Sequence, residues 1–308
     1  MLPKESKPTL QGRSLGLFLA LAFGPAWGLL LLPLLLDPSL RPSGRLLAWS
    51  LAMWQPGIGA VSAVRAEGRR PVAALGLNRL GPRRFYLWAW GLPPLLTLST
   101  GLLTIFLGAG RLDSSLPALR RALPSEAPVP TALLGTGLIL FALTLAPLLN
   151  TPLALDEELG WRAFLLPRLL PLGPGRALIL TGLLWGLWHA PAVAQGLNYP
   201  GQPLLGPLLM VGFASLLGVI LGWLFLRTGS PWAPALAHGA VNATGGLPLL
   251  FLADVNPLVG GTLPSLIGWI PLGISVLGLG LSGELAAAAR AFVSPAAPGA
   301  GEGAGPPS

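Results

Sequence analysis

Long uncharged stretches separated by short basic or Pro/Gly-rich loops set the pattern of this chain. No Asp, Glu, Lys or Arg occurs between Arg13 and Asp37, Arg45 and Arg65, Arg84 and Arg111, or Glu126 and Asp156. The same holds from Arg176 to Arg227, Arg227 to Asp254 and Asp254 to Glu284. Each interval is long enough for a helix of about 20 residues across a hydrocarbon core of about 30 Å. The interval from Arg176 to Arg227 is too long for one span, and its Gly196-Leu197-Asn198-Tyr199-Pro200-Gly201 run divides it at a turn. The pattern predicts an all-α fold, a polytopic transmembrane helix bundle of eight helices at 14–36, 46–64, 85–108, 135–170, 176–195, 204–226, 230–252 and 262–283. These form one transmembrane domain over 14–284, between a cytoplasmic segment 1–13 and a Pro/Gly/Ala-rich tail 285–308 expected to be disordered.

Composition agrees with lipid as the solvent. Of 308 residues, 53% are hydrophobic and 10% charged, against about 25% charged in an ordinary soluble domain. A formal charge of +8 raises nucleic acid as a partner, but the basic residues sit in short loops, where topology and anionic headgroups account for them. Most fall on one side: Lys4, Lys7, Arg13, the Arg65–Arg84 cluster, Arg168, Arg176, Arg227 and Arg290, against Arg41, Arg45, Arg111, Arg120 and Arg121 on the other. The expectation is a multi-pass cell-membrane protein with both termini cytoplasmic. The absence of cysteine excludes disulfides and thiolate chemistry. No repeat of helix pattern suggests an inverted-repeat transporter.

The strong polar groups inside the predicted spans are few: Asp156, Glu157, Glu158 and Arg162 in the fourth, His189 in the fifth, His238 and Asn242 in the seventh. An ionisable group at that depth costs several kcal/mol and is by default a functional candidate. Singly, each has a bland role: a wet loop for the acids, interhelical hydrogen bonds for the His residues and Asn242, packing for Trp185. Helix arithmetic brings them together. The Leu170-Pro171-Leu172-Gly173-Pro174-Gly175 turn makes the fourth and fifth helices an antiparallel hairpin. At 1.5 Å per residue, Glu157 and His189 both lie roughly 20–25 Å from that turn and face each other. From the turn at Thr228-Gly229-Ser230, His238 and Asn242 come to a similar level, about 14 and 20 Å along.

Spacing within helices assigns partners. Glu158 and Arg162 stand at i and i+4 and pair, whereas Glu157 points about 100° away and stays available. His238 and Asn242, also i and i+4, face one cavity wall. Trp185 and His189 share that spacing, so the indole can floor the imidazole.

Glu157-Glu158-Leu159-Gly160-Trp161-Arg162 resembles the EExxxR motif of the CAAX-protease and bacteriocin-processing (CPBP) family. Trp185-Gly186-Leu187-Trp188-His189 resembles its second motif, with Trp where Phe is the commoner aromatic, a change expected to be harmless, and His238-Gly239-Ala240-Val241-Asn242 resembles its HxxxN motif. The motifs fall in 153–245, and the first three helices carry none. The resemblance implies an intramembrane endopeptidase similar to type II CAAX prenyl proteases, acting on membrane-associated peptides or proteins, prenylated or not. It implies that Glu157 and His189 activate water and that His238 and Asn242 stabilise the oxyanion, with Glu158, Arg162 and Trp185 in support. The family has been classed both as a metalloprotease and as a glutamate protease. The expectation is a metal-free site without a cofactor, the alternative being zinc on Glu157, His189 and His238. A water-filled cavity open to the cytoplasm is also expected. The competing class is a non-catalytic membrane protein, of bacteriocin-immunity or scaffold type, retaining the same polar cluster.

Overall fold

A computed structural model describes residues 12–36, 42–123 and 130–294. The tail beyond 294 and the segment before 12 lie outside the described residues. The chain is helical, with one two-residue antiparallel pair, β1 (Arg111–Leu112) with β2 (Leu252–Ala253), as its only sheet among the described residues.

Besides the short helices Pro71–Ala74, Pro117–Ala122 and Leu166–Leu169, the described α-helices are α1 (Gly12–Leu36), α2 (Pro42–Ala52), α3 (Gln55–Ala66), α4 (Arg84–Phe106), α5 (Thr131–Leu143), α6 (Leu145–Glu158), α7 (Pro174–Trp188), α8 (Ala190–Ala194), α9 (Leu205–Thr228), α10 (Trp232–Thr244), α11 (Trp269–Leu281) and α12 (Glu284–Val293). Each of the eight expected segments contains a helix. Among the described residues three helices, α1, α4 and α9, are long and apolar enough to cross a membrane alone, or five spans if the bent pairs α5–α6 and α11–α12 each count as one. The other three segments differ from the straight rods expected. The second is broken at Met53-Trp54 into α2 and α3. The fifth ends at His189, because Pro191 has no N–H to continue the ladder, and resumes as α8. The seventh stops at Thr244 rather than 252, and 245–268 folds back as turns, a 3₁₀ turn and β2. The tail expected to be disordered from 285 is ordered in its described part, since Glu284–Val293 is helical, buries Ala288 and Ala289 and pairs Glu284 with Arg227.

The fourth segment is the least regular. It bends by 47° between α5 and the run from Leu145 to Leu172. After Glu158 the helix widens into a π-helical stretch, Leu159–Leu165, in which the Leu166 N–H donates to the Trp161 carbonyl. Pro167 follows directly and offers no N–H to the Ala163 carbonyl, so the regular ladder could not close there. All seven residues of the stretch are buried. Trp161 and Phe164 pack on Phe18 of α1, with ring centroids 5.7 and 4.8 Å away.

Glycine lets these helices meet backbone to backbone, as small residues do between helices in lipid. A Cβ on Gly182 of α7 would stand 2.6 Å from the Ser215 Cα of α9, and one on Gly186 2.5 Å from the Val211 Cα. On α10, a Cβ on Gly239 would stand 2.7 Å from the Pro147 carbonyl of α6. The hairpin turn between the fourth and fifth segments depends on Gly173, whose φ of +96° only glycine adopts readily, followed by Pro174 at the first position of α7.

Candidate active site

Asp156, Glu157 and Glu158 are consecutive at the end of α6, and all three are buried. Successive helical residues diverge by about 100°, so the three carboxylates reach three different partners. Asp156 accepts a hydrogen bond from the Gly57 N–H of α3 at 2.9 Å. Glu157 faces α7, where the Trp185 indole N–H donates to its Oε2 at 2.7 Å and His189 Nε2 lies 4.0 Å from the same oxygen. Glu158 faces Arg162, whose guanidinium donates to Oε1 at 2.9 Å, and His238 of α10, whose Nδ1 lies 2.9 Å from that oxygen.

Hydrogen-bond valence fixes the imidazoles. His189 Nδ1 lies 2.8 Å from the Trp185 carbonyl, which can only accept, so Nδ1 carries a proton and Nε2 of the neutral ring is an acceptor beside Glu157. His238 Nδ1 faces a carboxylate and is likewise the donor, so its Nε2 can donate to a further group only when the ring is an imidazolium. Arg162, fully buried, stacks on the Trp185 ring with its guanidinium carbon 4.1 Å from the centroid. Gly218 leaves the room, since a Cβ there would stand 3.4 Å from Arg162 Nη2.

Glu157, Trp185, His189, His238 and Asn242 line one cavity of about 450 Å³, and Asn242 is exposed along it. Glu158 and Arg162 sit behind this wall, fully buried. The predicted Glu158–Arg162 pair and the facing of Glu157 and His189 are therefore present. Three relations differ from the sequence expectation. Glu157 is not without a partner: Trp185 is its hydrogen-bond donor, which a phenylalanine could not be. His238 is tied to Glu158 rather than only to the Asn242 side of α10. The cavity also lies toward the end of the bundle remote from the basic turn at 168–176, among the ends of α1 and α10, α2, and the loops at Asn198 and Pro264.

Sequence reasoning missed the Asp156–Gly57 contact. Its only trace is Pro56-Gly57 inside an apolar run, a small residue at a helix start where a neighbour can approach. A Cβ on Gly57 would fall on the Asp156 carboxylate, and one on Gly160 would stand 2.6 Å from Pro56 Cβ. Among the described residues, no three His, Asp or Glu side chains are grouped as a metal ion needs.

No curated protein matches this chain. Its apolar helices and the family match below make it a membrane protein. Residues 132–244, the stretch that bears all three motifs, match the family described as type II CAAX prenyl endopeptidase Rce1-like.

Proposed function

We propose that the protein is an intramembrane endopeptidase in which Glu157 and His189 together activate water against a peptide bond of a membrane-associated substrate. The observation that carries this reading is the 4.0 Å gap between Glu157 Oε2 and His189 Nε2, two acceptors facing the same cavity. A water hydrogen-bonded at ordinary distance to both fits across such a gap, donating a proton to each and keeping a lone pair for the carbonyl carbon. As its oxygen attacks, one proton passes to Glu157. The carbonyl oxygen becomes an oxyanion, met by the Asn242 amide N–H and by His238 Nε2–H in the imidazolium form, whose Nδ1–H is held by Glu158 and whose charge the oxyanion itself offsets. Collapse breaks the C–N bond, and Glu157 returns its proton to the leaving amine.

Glu158 and Arg162 hold the frame in this scheme and do not touch the reacting atoms. Trp185 orients Glu157 through its N–H and packs against Arg162 through its ring. No step runs through a metal. The protein is placed in the cell membrane as a single transmembrane domain with cytoplasmic termini, on the distribution of arginine.

The test is peptide release by purified protein from a lipid-anchored quenched fluorescent peptide, with wild type, Glu157→Ala and Asn242→Ala, each with and without a strong chelator. Wild type is expected to cleave regardless of chelator, Glu157→Ala to be inactive, and Asn242→Ala to retain turnover reduced about 10²–10³-fold. Full activity in Glu157→Ala ends the protease reading of this site. Loss with chelator and restoration by zinc would replace the metal-free mechanism.

A further inference from the structure

We propose that the groove between α4, α9 and the bend from α11 to α12 binds one anionic phospholipid of the surrounding bilayer, its phosphate held by Arg84 and Arg227 and an acyl chain laid between α4 and α11. The groove is separate from the cavity that holds Glu157 and His189, and its ligand does not depend on the protease reading.

Three helix ends meet there. α4 begins at Arg84, α9 has Arg227 in its last turn, and α12 begins at Glu284. Between them is a cavity of about 670 Å³. α4 and α9 are each long and apolar enough to span a membrane, so their ends lie near its surface and the groove runs from there into the hydrocarbon.

The wall is ordered by depth. Arg84, Trp88 and Leu92 recur every fourth residue along one face of α4, each step going about 6 Å deeper. On α9 the same order runs against the chain direction, from Arg227 at the end to Trp223 four residues in. On α11, Leu279 and Gly278 continue the wall inward from Glu284. Guanidinium, indole and alkyl levels match the phosphate, glycerol esters and chains of a phospholipid, since Trp favours the headgroup level and Leu the hydrocarbon. Below the arginines the wall is apolar, a surface that a chain covers and a free anion does not.

Existing partners leave the place for a phosphate. Glu284 is the one carboxylate on the wall among the described residues, and it is already engaged. Arg227 donates to its Oε2 from Nε at 3.0 Å and also from Nη2, and the Trp223 indole N–H donates to the same oxygen at 3.3 Å. The exposed Arg84 guanidinium makes no hydrogen bond among the described residues and rests over the Phe85 ring, 5.1 Å from its centroid. Two arginines against one glutamate leave one positive charge, which a phosphodiester neutralises with charge-assisted hydrogen bonds. The Trp88 indole, half exposed, also has no acceptor among the described residues and can donate to an ester carbonyl. An ammonium headgroup would be brought against Arg83 and Arg84, so a headgroup without a cation fits better. Space for the chain is open, since a Cβ on Gly278 would meet nothing within 4 Å.

The test is native mass spectrometry of the full-length protein in mild detergent, titrated with phosphatidylglycerol, phosphatidylcholine and phosphatidylethanolamine of identical chains, and with glycerophosphoglycerol, the first headgroup without chains. One phosphatidylglycerol is expected to be retained at concentrations at least about tenfold below the other two lipids. Arg84→Gln should weaken retention about tenfold, the loss of one hydrogen bond to a charged group. Gly278→Leu fills the groove without changing charge and should abolish retention, whereas Arg121→Gln, outside the groove, should leave it unchanged. Equal retention of the three lipids overturns the proposal, as does a preference for phosphatidylethanolamine through its ammonium on Glu284. Retention of phosphatidylglycerol unaltered in both Arg84→Gln and Gly278→Leu places the lipid elsewhere and overturns it too. Glycerophosphoglycerol binding as tightly as the lipid would make this an anion site and not a lipid site. Arg84 is exposed and Gly278 faces open space, so neither substitution removes a packing contact, and the lipid preference of wild type needs no variant. A protein that releases no peptide would give the same retention results.

Discussion

The helices that carry motifs and the helices that carry none meet at this site in different ways. From α6, α7 and α10 come side chains: two carboxylates, two imidazoles, an indole and an amide. From α1 and α3 come two backbone groups and one indole N–H, that of Trp27. The Gly57 N–H holds Asp156, the Ala22 carbonyl accepts from the Trp188 indole at 2.9 Å, and the Trp188 carbonyl in turn accepts from Trp27 at 3.2 Å. Trp188 precedes His189 and Asp156 precedes Glu157, so each backbone contact braces the residue next to one proposed for catalysis. Side chains can be found by motif because chemistry dictates their type. Backbone braces need only room and a nearby atom, so they leave no pattern beyond small residues.

If this division is right, the largest effects lie on the motif side. Glu157→Ala and His189→Ala should each remove nearly all peptide release, and the double variant should cost little more than either, because both act on one water. Multiplying losses in single-turnover rates would instead mean that the two residues act separately. Glu158→Gln should lower stability by about 3–5 kcal/mol, since it strips a fully buried carboxylate from both Arg162 and His238. Glu157→Gln keeps an acceptor for Trp185 and should melt near wild type. Equal melting temperatures for these two variants in detergent would erase the distinction between the neighbouring glutamates.

Effects on the bracing side should be smaller and fall on stability first. Gly57→Ala forces its new methyl onto Asp156 and should cost about 1–3 kcal/mol, with activity falling only as far as Glu157 is displaced. An unchanged melting temperature would show that α3 can move away freely. The smallest effect belongs to Glu67, which caps α3 and binds Arg168 below the site at 2.6 Å. Burial pushes its carboxyl up, but hydrogen bonds from Arg168 and Ser14 and the Arg168 charge prevail, holding it below its ordinary 4.5. The pair therefore stabilises the fold above that value and is lost as pH falls below it. Glu67→Gln should cost under about 1 kcal/mol at neutral pH and flatten the decline in melting temperature below pH 4.5. A decline as steep as wild type would assign acid sensitivity to other groups.

Much of this arrangement was legible in the sequence. The helical class followed from uncharged intervals, and the facing of Glu157 and His189 from counting residues either side of one Pro/Gly turn. The Glu158–Arg162 pair followed from spacing, and the π-helical widening did not disturb it because the pair spans its first turn. What could not be read depends on where helices stop and how they lean. Hydropathy continues past Thr244 with Leu247, Leu249 and Leu250, so nothing in it announces that α10 ends there. The Trp185–Glu157 bond joins residues on different helices, and spacing within one helix cannot reveal it. The same holds for His238 and Glu158.

The glycine contacts between α7 and α9 have a mechanical meaning as well. Two helices whose backbones touch through Gly182 and Gly186 have no side-chain cushion between them, and to slide or twist they would have to climb over one another. His189 thus follows directly on a helix held against α9 with little room for relative motion. The cavity wall also includes α2, joined to α3 by a break at Met53-Trp54. If the proposed protease reading holds, substitutions in α2 should alter how a peptide reaches the cavity while leaving the α7–α9 mounting of His189 as it is.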